Sequence, residues 1–146
     1  MQQLTGQTLG PLDILLVEDN PGDVLLTTKA FEAEGISIQA VGDGQDALEY
    51  LLDENTQLPH IILLDLNLPG MSGTEVLLKI RSIQRLSRLP VIVLSSSYAE
   101  DDRARSYDAQ VNAYLAKPKT YNAYSALAAA VQGFWQKWNL YPPARK

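Results

Sequence analysis

Short apolar runs alternate along this chain with longer amphipathic stretches, and this alternation restricts the possible fold more than any other feature. The runs are rich in valine, isoleucine and leucine and end at turn-forming residues, which is typical of strands buried in a sheet. The predicted strands are Leu12–Val17, Ile36–Val41, His60–Asp65, Pro90–Leu94 and Ala113–Ala116.

Signals for helix starts lie between the runs. Asn20-Pro21-Gly22-Asp23 supplies an N-cap, a proline in the first turn and an early acid, and Asp43-Gly44-Gln45-Asp46 repeats the placement of the acid. Ser72-Gly73-Thr74-Glu75 and Ser97-Tyr98-Ala99-Glu100 both fit the capping box, in which Ser and Glu satisfy two free amides reciprocally. Gly35 predicts the end of the first helix.

Strands and helices therefore alternate up to a last helix, which we place at about 120–138. Such alternation predicts a mainly parallel sheet with helices on both faces and right-handed connections. Five strands in a chain of this length favour an α/β, doubly wound, flavodoxin-like sheet with the strand order 2-1-3-4-5.

Size and composition are typical of one soluble globular domain. The chain has 146 residues, of which 46% are hydrophobic and 20% charged. No apolar stretch approaches the roughly 18 residues that span a bilayer. Cysteine is absent, which excludes disulfides, thiolate metal sites and cysteine nucleophiles and favours a cytoplasmic protein. The net charge of −5 and the scarcity of clustered Lys and Arg disfavour binding to nucleic acid.

The polar residues that follow the predicted strands are the candidates for function. In a doubly wound sheet, ligands bind outside the carboxyl ends of the strands, at the switch point between strands 1 and 3. Strand 1 is followed by Glu18 and Asp19, strand 3 ends in Asp65, strand 4 is followed by Ser95, and strand 5 by Lys117. The topology therefore predicts that three carboxylates, a hydroxyl and an ammonium meet at one edge of the sheet.

Three acids a few ångströms apart resist ionisation, and a hard divalent cation relieves their repulsion. Mg²⁺ prefers oxygen ligands and often shares one or two carboxylates with a phosphate. A carboxylate beside such an ion can attack phosphorus, which gives an aspartyl phosphate. We therefore interpret Glu18 and Asp19 as metal ligands and Asp65 as both ligand and nucleophile. Lys117 and Ser95 are then placed to contact the transferred group.

Each of these residues also has an ordinary structural interpretation when it is taken alone. Asp19 can cap the first helix, Asp65 can precede a turn, Ser95 can open a serine-rich loop, and Lys117 can be a solvated lysine. The functional interpretation is favoured because separate roles would have to fall at one edge of the sheet by chance. The single histidine, His60, opens strand 3 at the opposite end and is not expected to take part.

Four motifs that contain these residues resemble those of the receiver domain of two-component response regulators. They are ILLVEDN (14–20), ILLDLNLPGMSG (62–73), PVIVLSSS (90–97) and AYLAKP (113–118), in family order and at family spacing. From this resemblance we expect a receiver domain over 12–138, a flexible N-terminal tail over 1–11 and a C-terminal tail over 139–146.

The resemblance implies that Asp65 is the phosphorylated residue. It makes Glu18 and Asp19 the metal acids, and the backbone carbonyl of Asn67 a further ligand of Mg²⁺. The protein is then a phosphoacceptor switch with slow intrinsic dephosphorylation rather than an enzyme.

The resemblance also implies a set of residues that contact or respond to the phosphoryl group. Ser95 takes the place of the Ser or Thr whose hydroxyl meets this group, and Lys117 that of the family's invariant lysine. Tyr114 matches the aromatic residue that swings inward, and Ser96 replaces a small alanine and narrows access to the phosphate. The Lys117-Pro118 peptide bond is expected to be cis, as in the family.

A narrower resemblance rests on EDDRARSYDAQVNAYLAKP (100–118) and FWQKW (134–138). With EDNPGD (18–23), these segments are similar to the small single-domain regulators of bacterial and cyanobacterial phytochromes. The resemblance implies a light-sensing histidine kinase as phosphodonor, an unidentified downstream protein and a homodimer formed through strand 5 and the C-terminal region. Trp135 with Tyr121 or Tyr141 is expected to form an exposed apolar patch of the kind that marks interfaces.

Three other functions fit parts of the pattern. A hydrolase of the haloacid dehalogenase type also uses a strand-end Asp, a Ser or Thr, a Lys and Mg²⁺. It usually needs an acid two residues after the nucleophile, where this chain has Asn67. A dinucleotide-binding domain needs G-x-G-x-x-G after strand 1, where this chain reads EDNPGD. A pseudo-receiver, which binds partners without phosphorylation, stays open as an alternative, although such domains usually lack one of the acids or the lysine.

Overall fold

The computed structural model describes residues 11–96, 99–137 and 139–140. Within these residues, five strands alternate with five α-helices, and each predicted strand is present with its ends within one residue of the prediction. The elements are β1 (Asp13–Val17), α1 (Pro21–Ala33), β2 (Ser37–Val41), α2 (Gly44–Leu52), β3 (Ile61–Asp65), α3 (Gly73–Ser82), a short 3-10 helix (Gln84–Leu86), β4 (Val91–Ser95), α4 (Glu100–Asp108), β5 (Ala113–Ala116) and α5 (Tyr121–Lys137). No helix in the described part of the chain is long and apolar enough to cross a membrane. Trp138 and most of the two predicted tails lie outside the described residues.

The strands form one parallel sheet in the order β2-β1-β3-β4-β5, which confirms the predicted flavodoxin-like topology. β3 and β4 are buried along their whole length, as continuous apolar runs in a parallel sheet should be. β2 lies at one edge and is partly exposed. At the switch point, Val17 at the end of β1 lies opposite both Val41 of β2 and Leu64 of β3.

Two apolar clusters cover the two faces of the sheet. On one face, α1 and α5 contribute Phe31 and Tyr124, which are both fully buried, to a cluster with residues of β1, β3 and β4. On the other face, α2 and α3 pack against the sheet, with Ala109 at the end of α4. The carboxyl edge of the sheet lies between these layers, and ligands bind at this edge in doubly wound sheets.

Side chains begin three of the helices as predicted. Asn20 and Asp43 each accept a hydrogen bond from the amide three residues on, at 3.0 and 2.7 Å. Ser72 and Glu75 form the full capping box at the start of α3, with both hydrogen bonds at 3.2 Å. Gly35, with φ at +79°, ends α1 as expected, since a residue with a side chain rarely adopts this conformation.

The predicted start of α4 is wrong. The helix begins at Glu100 with Ala99 at the N-cap position, two residues later than a capping box headed by Ser97 requires. Three successive acids, from Glu100 to Asp102, occupy the first turn, where they interact favourably with the positive end of the helix dipole. Ser97 and Tyr98 themselves lie outside the described residues.

Of the aromatic residues expected at the surface of α5, Tyr121 is exposed as predicted but Trp135 is not. Trp135 is half-buried and packs against the cluster beneath α1 and α5, so it contributes to the core. Phe134, at 55% exposure, and Tyr121, at 41%, are the exposed aromatic residues of this helix. Helical spacing explains the exchange, because neighbouring positions on a helix point about 100° apart and cannot both face the core. Tyr141 lies outside the described residues.

A glycine lets α3 approach the end of β3 closely. A Cβ atom at Gly73 would lie 2.5 Å from the carbonyl oxygen of Asp65 and 2.6 Å from the Cα of Leu66. Both are backbone atoms, which cannot move aside as the end of a flexible side chain can. The Gly73 amide donates to the Leu66 carbonyl at 3.0 Å and closes the loop.

We expect Gly73→Ala to lower the free energy of unfolding by about 1–3 kcal/mol, because the added methyl group must push apart β3 and α3. Urea unfolding followed by circular dichroism measures this change. Gly42→Ala is the matched control: its added Cβ would meet no atom within 4 Å. Its cost should stay within about 0.5 kcal/mol. Equal stabilities of the two variants would contradict this account of the loop.

His60 links the amino-terminal ends of β1 and β3, which lie at the end of the sheet opposite the carboxyl edge, as predicted. Its ring Nδ1 accepts a hydrogen bond from the Asp13 amide at 2.9 Å, and its own amide donates to the Asp13 carbonyl at 2.8 Å. The acceptor role requires a neutral ring. Burial lowers the pKa of His60, and the nearby charge of Asp13 acts in the opposite direction without cancelling the shift.

The lowered pKa of His60 predicts a loss of stability in mild acid. The unfolded chain, with a histidine pKa of about 6.5, binds more protons than the folded protein just below that pH. The contribution of neutral His60 is therefore complete above about pH 6.5 and is lost as the pH falls toward the lower folded pKa. His60→Asn, whose amide oxygen can accept the same bond, should lose less stability than the wild type between about pH 7.5 and 5.5 in urea unfolding. The same pH dependence in both proteins would contradict the prediction.

Candidate functional site

The carboxyl ends of β1 and β3 bring three carboxylates together. Glu18 and Asp19 follow β1, Asp65 is the last residue of β3, and the two strands are neighbours. One oxygen from each of the three side chains lies within 4.8 Å of the others. Glu18 and Asp65 are only 4% and 5% exposed, whereas Asp19 lies at the surface. The cluster is therefore a set of hard oxygen donors that begins inside the protein and opens to water.

Lys117 contacts the buried part of this cluster. Its Nζ lies 2.8 Å from Glu18 Oε1, 3.0 Å from Asp23 Oδ2 and 3.3 Å from Asp65 Oδ2. Its backbone is also fixed, because the Lys117 amide donates to the Ser95 carbonyl at 2.9 Å and extends the pairing of β4 with β5. An ammonium has three N–H donors, so these three carboxylates account for all of them.

The carboxylates outnumber the one ammonium, and the pKa values of Glu18 and Lys117 reflect both burial and this excess of negative charge. Burial raises the pKa of Glu18 to about 7; Asp65 adds to the rise, and the hydrogen bond from Lys117 opposes it. Burial alone would lower the pKa of Lys117, but its bonds to Glu18 and Asp23 and the charge of Asp65 raise the pKa above its ordinary value. Lys117 therefore stays charged and still does not neutralise the pocket. A hard divalent cation, which accepts carboxylate oxygens, fits this donor set.

The loop after β3 orients the Asp65 carboxylate. The amide of Asn67 donates a hydrogen bond to Asp65 Oδ1 at 3.1 Å, while Oδ2 faces Lys117. Each oxygen of Asp65 thus has a fixed donor. The Asn67 side chain is exposed, and as an amide it supplies no acidic proton at this position.

Ser95, Ser96 and Tyr114 lie on the β4–β5 side of the pocket. Ser95 is completely buried at the end of β4, one residue beyond Leu94, which is the strand partner of Asp65. Ser96 follows at the exposed end of the strand. Tyr114 is half-buried and packs against the cluster on the side of α2 and α3, so its ring is directed to that face of the sheet.

The predicted cis bond before Pro118 is wrong for this structure. No peptide bond among the described residues is cis. The sequence Lys117-Pro118 alone does not determine whether the bond is cis or trans, because the trans form of a bond before proline is favoured by only about 0.5–1 kcal/mol. The contacts of Lys117 with the acids are made with this bond trans.

Two contributors to the pocket were not predicted as site residues. Asp23, interpreted from the sequence only as a first-turn acid of α1, pairs with Lys117. Tyr124, a buried residue of α5, donates its hydroxyl to Asp23 Oδ1 at 3.3 Å. Burial, followed by the charge of Asp23, raises the pKa of Tyr124 to about 12, so the hydroxyl keeps its proton. The sequence signal for Asp23 is its position, because it lies in the first turn of the helix that directly follows Glu18 and Asp19.

Comparison with known proteins agrees with this geometry. The model of the response regulator receiver domain family matches residues 14–130, which is most of the chain. A probable methanogenesis regulatory protein, FilR2 of Methanothrix harundinacea, is 41% identical over 137 residues, which cover 90% of this chain and 88% of that protein. Response regulator Rcp1 of Synechocystis is 36% identical over 140 residues, which cover 92% of this chain and 95% of that protein.

Solved structures give the same result. The phosphorylated cyanobacterial phytochrome response regulator RcpA has a TM-score of 0.84 and 38% identity, over 91% of this chain and 99% of that one. The Mn²⁺-bound form of Rcp1 has a TM-score of 0.82 and 35% identity, over 91% of this chain and all of that one. With the family match, the sheet order and the strand-end carboxylates, these findings show that the chain belongs to the response regulator receiver domain family and is related to the response regulators of phytochromes.

Proposed function

We propose that this chain is a phosphorylation switch in which Asp65 accepts a phosphoryl group from a sensor histidine kinase. The observation that carries the proposal is the placement of Asp65. Its carboxylate closes a buried strand, lies within 4.8 Å of Glu18 and Asp19, and lies 3.3 Å from the Lys117 ammonium. A carboxylate held between other acids and an ammonium has the surroundings that phosphoryl transfer needs.

Mg²⁺ is the cofactor of this proposal. Glu18, Asp19 and Asp65 would hold it, with the backbone carbonyl of Asn67 as a further ligand. When bound, the ion supplies positive charge that offsets the charge of the transferred phosphoryl group. Support comes from the all-oxygen donor set of the cluster and from a relative, Rcp1, whose structure has been solved in a Mn²⁺-bound form.

The reaction uses few protein groups. An oxygen of the Asp65 carboxylate attacks the phosphorus of the kinase's phosphohistidine. The phosphorus–oxygen bond forms as the phosphorus–nitrogen bond breaks, and the imidazole leaves with the electron pair of that bond. Lys117 neutralises charge on the phosphoryl oxygens, and the hydroxyl of Ser95 donates to one of them.

The residue two places after Asp65 favours a switch over a hydrolase. A hydrolase needs an acid that protonates the leaving group, and Asn67 has no such proton to give. Loss of the phosphoryl group is then slow hydrolysis at Asp65 itself. Ser96, exposed at the end of β4, narrows the approach of water in this proposal.

The output surface of the proposed switch consists of α4, β5 and α5. α4 is loosely attached, since Ser106 is the one buried residue of its nine. Ser95 and Lys117 move toward the phosphoryl group. Tyr114 then moves into the space that they leave, and the output surface changes with it. Such a change is a shift between two states by a few kcal/mol of differential interaction.

The partners in this proposal are a phytochrome-type kinase, a downstream protein and a second copy of the chain, in the cytoplasm. The kinase is favoured by the relatives described as phytochrome response regulators. Self-association is favoured by β5, an edge strand of the sheet, and by the exposed Phe134 of α5.

Incubation with acetyl phosphate and Mg²⁺ should label Asp65, because a small phosphodonor needs no kinase surface. Intact-protein mass spectrometry should detect one added phosphoryl group, and peptide mapping should place it on Asp65. Asp65→Asn should remove the label. Asp46→Asn is the control, because Asp46 is an exposed acid in the first turn of α2. Persistent labelling of Asp65→Asn would mean that another residue is the acceptor and would contradict the proposal. No labelling of the wild type would support the alternative of a pseudo-receiver. Repeated turnover of a generic phosphomonoester would instead indicate a hydrolase.

A panel of purified histidine kinases tests the proposed partner. Phosphotransfer to the wild type is expected to be fastest from phytochrome-type kinases, measured as transfer of radiolabelled phosphate over time. Asp65→Asn, which lacks the acceptor, gives the background for each kinase. Preferential transfer from kinases that do not sense light would exclude the phytochrome assignment and leave the switch intact.

A further inference from the structure

A fourth acid, Asp23, contacts the pocket, and the proposed function gives it no role. One of its carboxylate oxygens lies 3.0 Å from the Lys117 ammonium, and the other accepts the Tyr124 hydroxyl at 3.3 Å. Its amide donates to the Asn20 side chain at 3.0 Å. Both oxygens and the backbone of Asp23 are therefore held, which is more restraint than a surface acid in a first helical turn needs.

Tyr124 fixes Asp23 from inside the protein. The tyrosine is 1% exposed and lies in α5, where it packs in the same cluster as Phe31 of α1. Asp23 lies in the first turn of α1, and Lys117 follows β5. The acid thus joins α1, α5 and the end of β5 at one point.

The ammonium of Lys117 has a limited number of donors to share. All three of its N–H groups are directed at Glu18, Asp23 and Asp65. In the proposed function, Glu18 and Asp65 also hold the cation, and the phosphoryl oxygens on Asp65 need a donor from Lys117. Asp23 is the acceptor of these three that is not a proposed metal ligand. The Asp23 carboxylate therefore still accepts a hydrogen bond from Lys117 when the cation is bound, and it competes with the phosphoryl oxygens for the ammonium.

We infer that Asp23 is a positioning residue that acts through Lys117 and sets the balance between cation and phosphoryl group in the pocket. Its negative charge strengthens the binding of a divalent cation at the neighbouring acids. The same charge weakens the binding of phosphoryl oxygens, both by repulsion and by holding the ammonium. This inference rests on the proposed function of Asp65.

Asp23→Asn tests the inference, because it removes the charge and keeps the shape of the side chain. Titration calorimetry gives the affinity for Mg²⁺ alone. A second titration, at saturating Mg²⁺, gives the affinity for beryllofluoride, which binds carboxylates as a mimic of a phosphoryl group. In the variant, the Kd for Mg²⁺ should rise about threefold or more, and the Kd for beryllofluoride should fall about threefold or more. A merely structural role would not produce this pattern, since a damaged pocket binds both probes more weakly.

Asp46→Asn is the matched control. Asp46 is the third residue of α2, as Asp23 is of α1, and the amides of both donate to the side chain of an N-cap residue. Its substitution removes the same charge from the same helical position, so both affinities should stay within about twofold of the wild type. Asp23→Ser, a second variant that lacks the charge, should agree with Asp23→Asn. Folded variants of Asp23 in which both affinities fall, or in which neither changes, would overturn the inference.

The two proposals fail in different ways. If acetyl phosphate labels the wild type and Asp23→Asn binds both probes as the wild type does, the inference is wrong and the proposed function stands. If the wild type is not labelled and does not bind beryllofluoride, the proposed function is wrong. A loss of Mg²⁺ affinity in Asp23→Asn would then still support the effect of Asp23 on the cation.

Discussion

The crowding of carboxylates at the carboxyl ends of β1 and β3 is the constraint on which the rest of the site depends. A buried, isolated carboxylate is costly, and Glu18 and Asp65 are both buried side by side. The single ammonium of Lys117 offsets part of the cost by contacting both of them. It does not neutralise the cluster, and Glu18 keeps a pKa raised to about 7 as a result of its burial. The remaining negative charge is what makes the pocket attractive to a divalent cation.

The fold holds the crowded carboxylates in place by fixing the backbone around them rather than by neutralising their charge. The register of β1 with β3 sets the distance between Glu18 and Asp65 before any side chain is considered. Gly73 lets α3 begin close to the last residue of β3, so the loop that carries the Asn67 amide stays near Asp65. On the other side of the pocket, the Lys117 amide donates a hydrogen bond to the Ser95 carbonyl. This bond fixes the backbone from which the long and otherwise flexible lysine side chain extends. Restraint of this kind is what a site needs if its function is to hold a small charged group.

The sheet and the main acids could be predicted from the sequence because both depend on local patterns. Apolar runs gave the strands, and topology then placed Glu18, Asp19, Asp65 and Lys117 at one edge. Three features could not be predicted in this way. The start of α4 has no side-chain cap, and the capping-box pattern headed by Ser97 predicted a start two residues too early. The isomer of the bond before Pro118 depends on a small energy difference that tertiary contacts decide. The pairing of Tyr124 with Asp23 joins residues 101 positions apart, and no local signal in a single sequence indicates such a contact.

That last contact changes how the pocket is connected to the rest of the molecule. Lys117 follows β5, whose successive side chains point to opposite faces of the sheet: Tyr114 packs on the side of α2 and α3, and Leu115 on the side of α1 and α5. Any event that draws the Lys117 ammonium toward Asp65 acts on β5, and it also removes the counter-charge of Asp23. An acid that loses its counter-charge must rearrange or attract another positive group, and the hydroxyl of Tyr124 in α5 still donates to Asp23. Lys117 therefore contacts Asp65 and Asp23 from the end of a strand that packs on both faces of the sheet. The α1–α5 side, where the sequence predicted a dimer contact and no part of the pocket, meets Lys117 directly through Asp23, which Tyr124 holds.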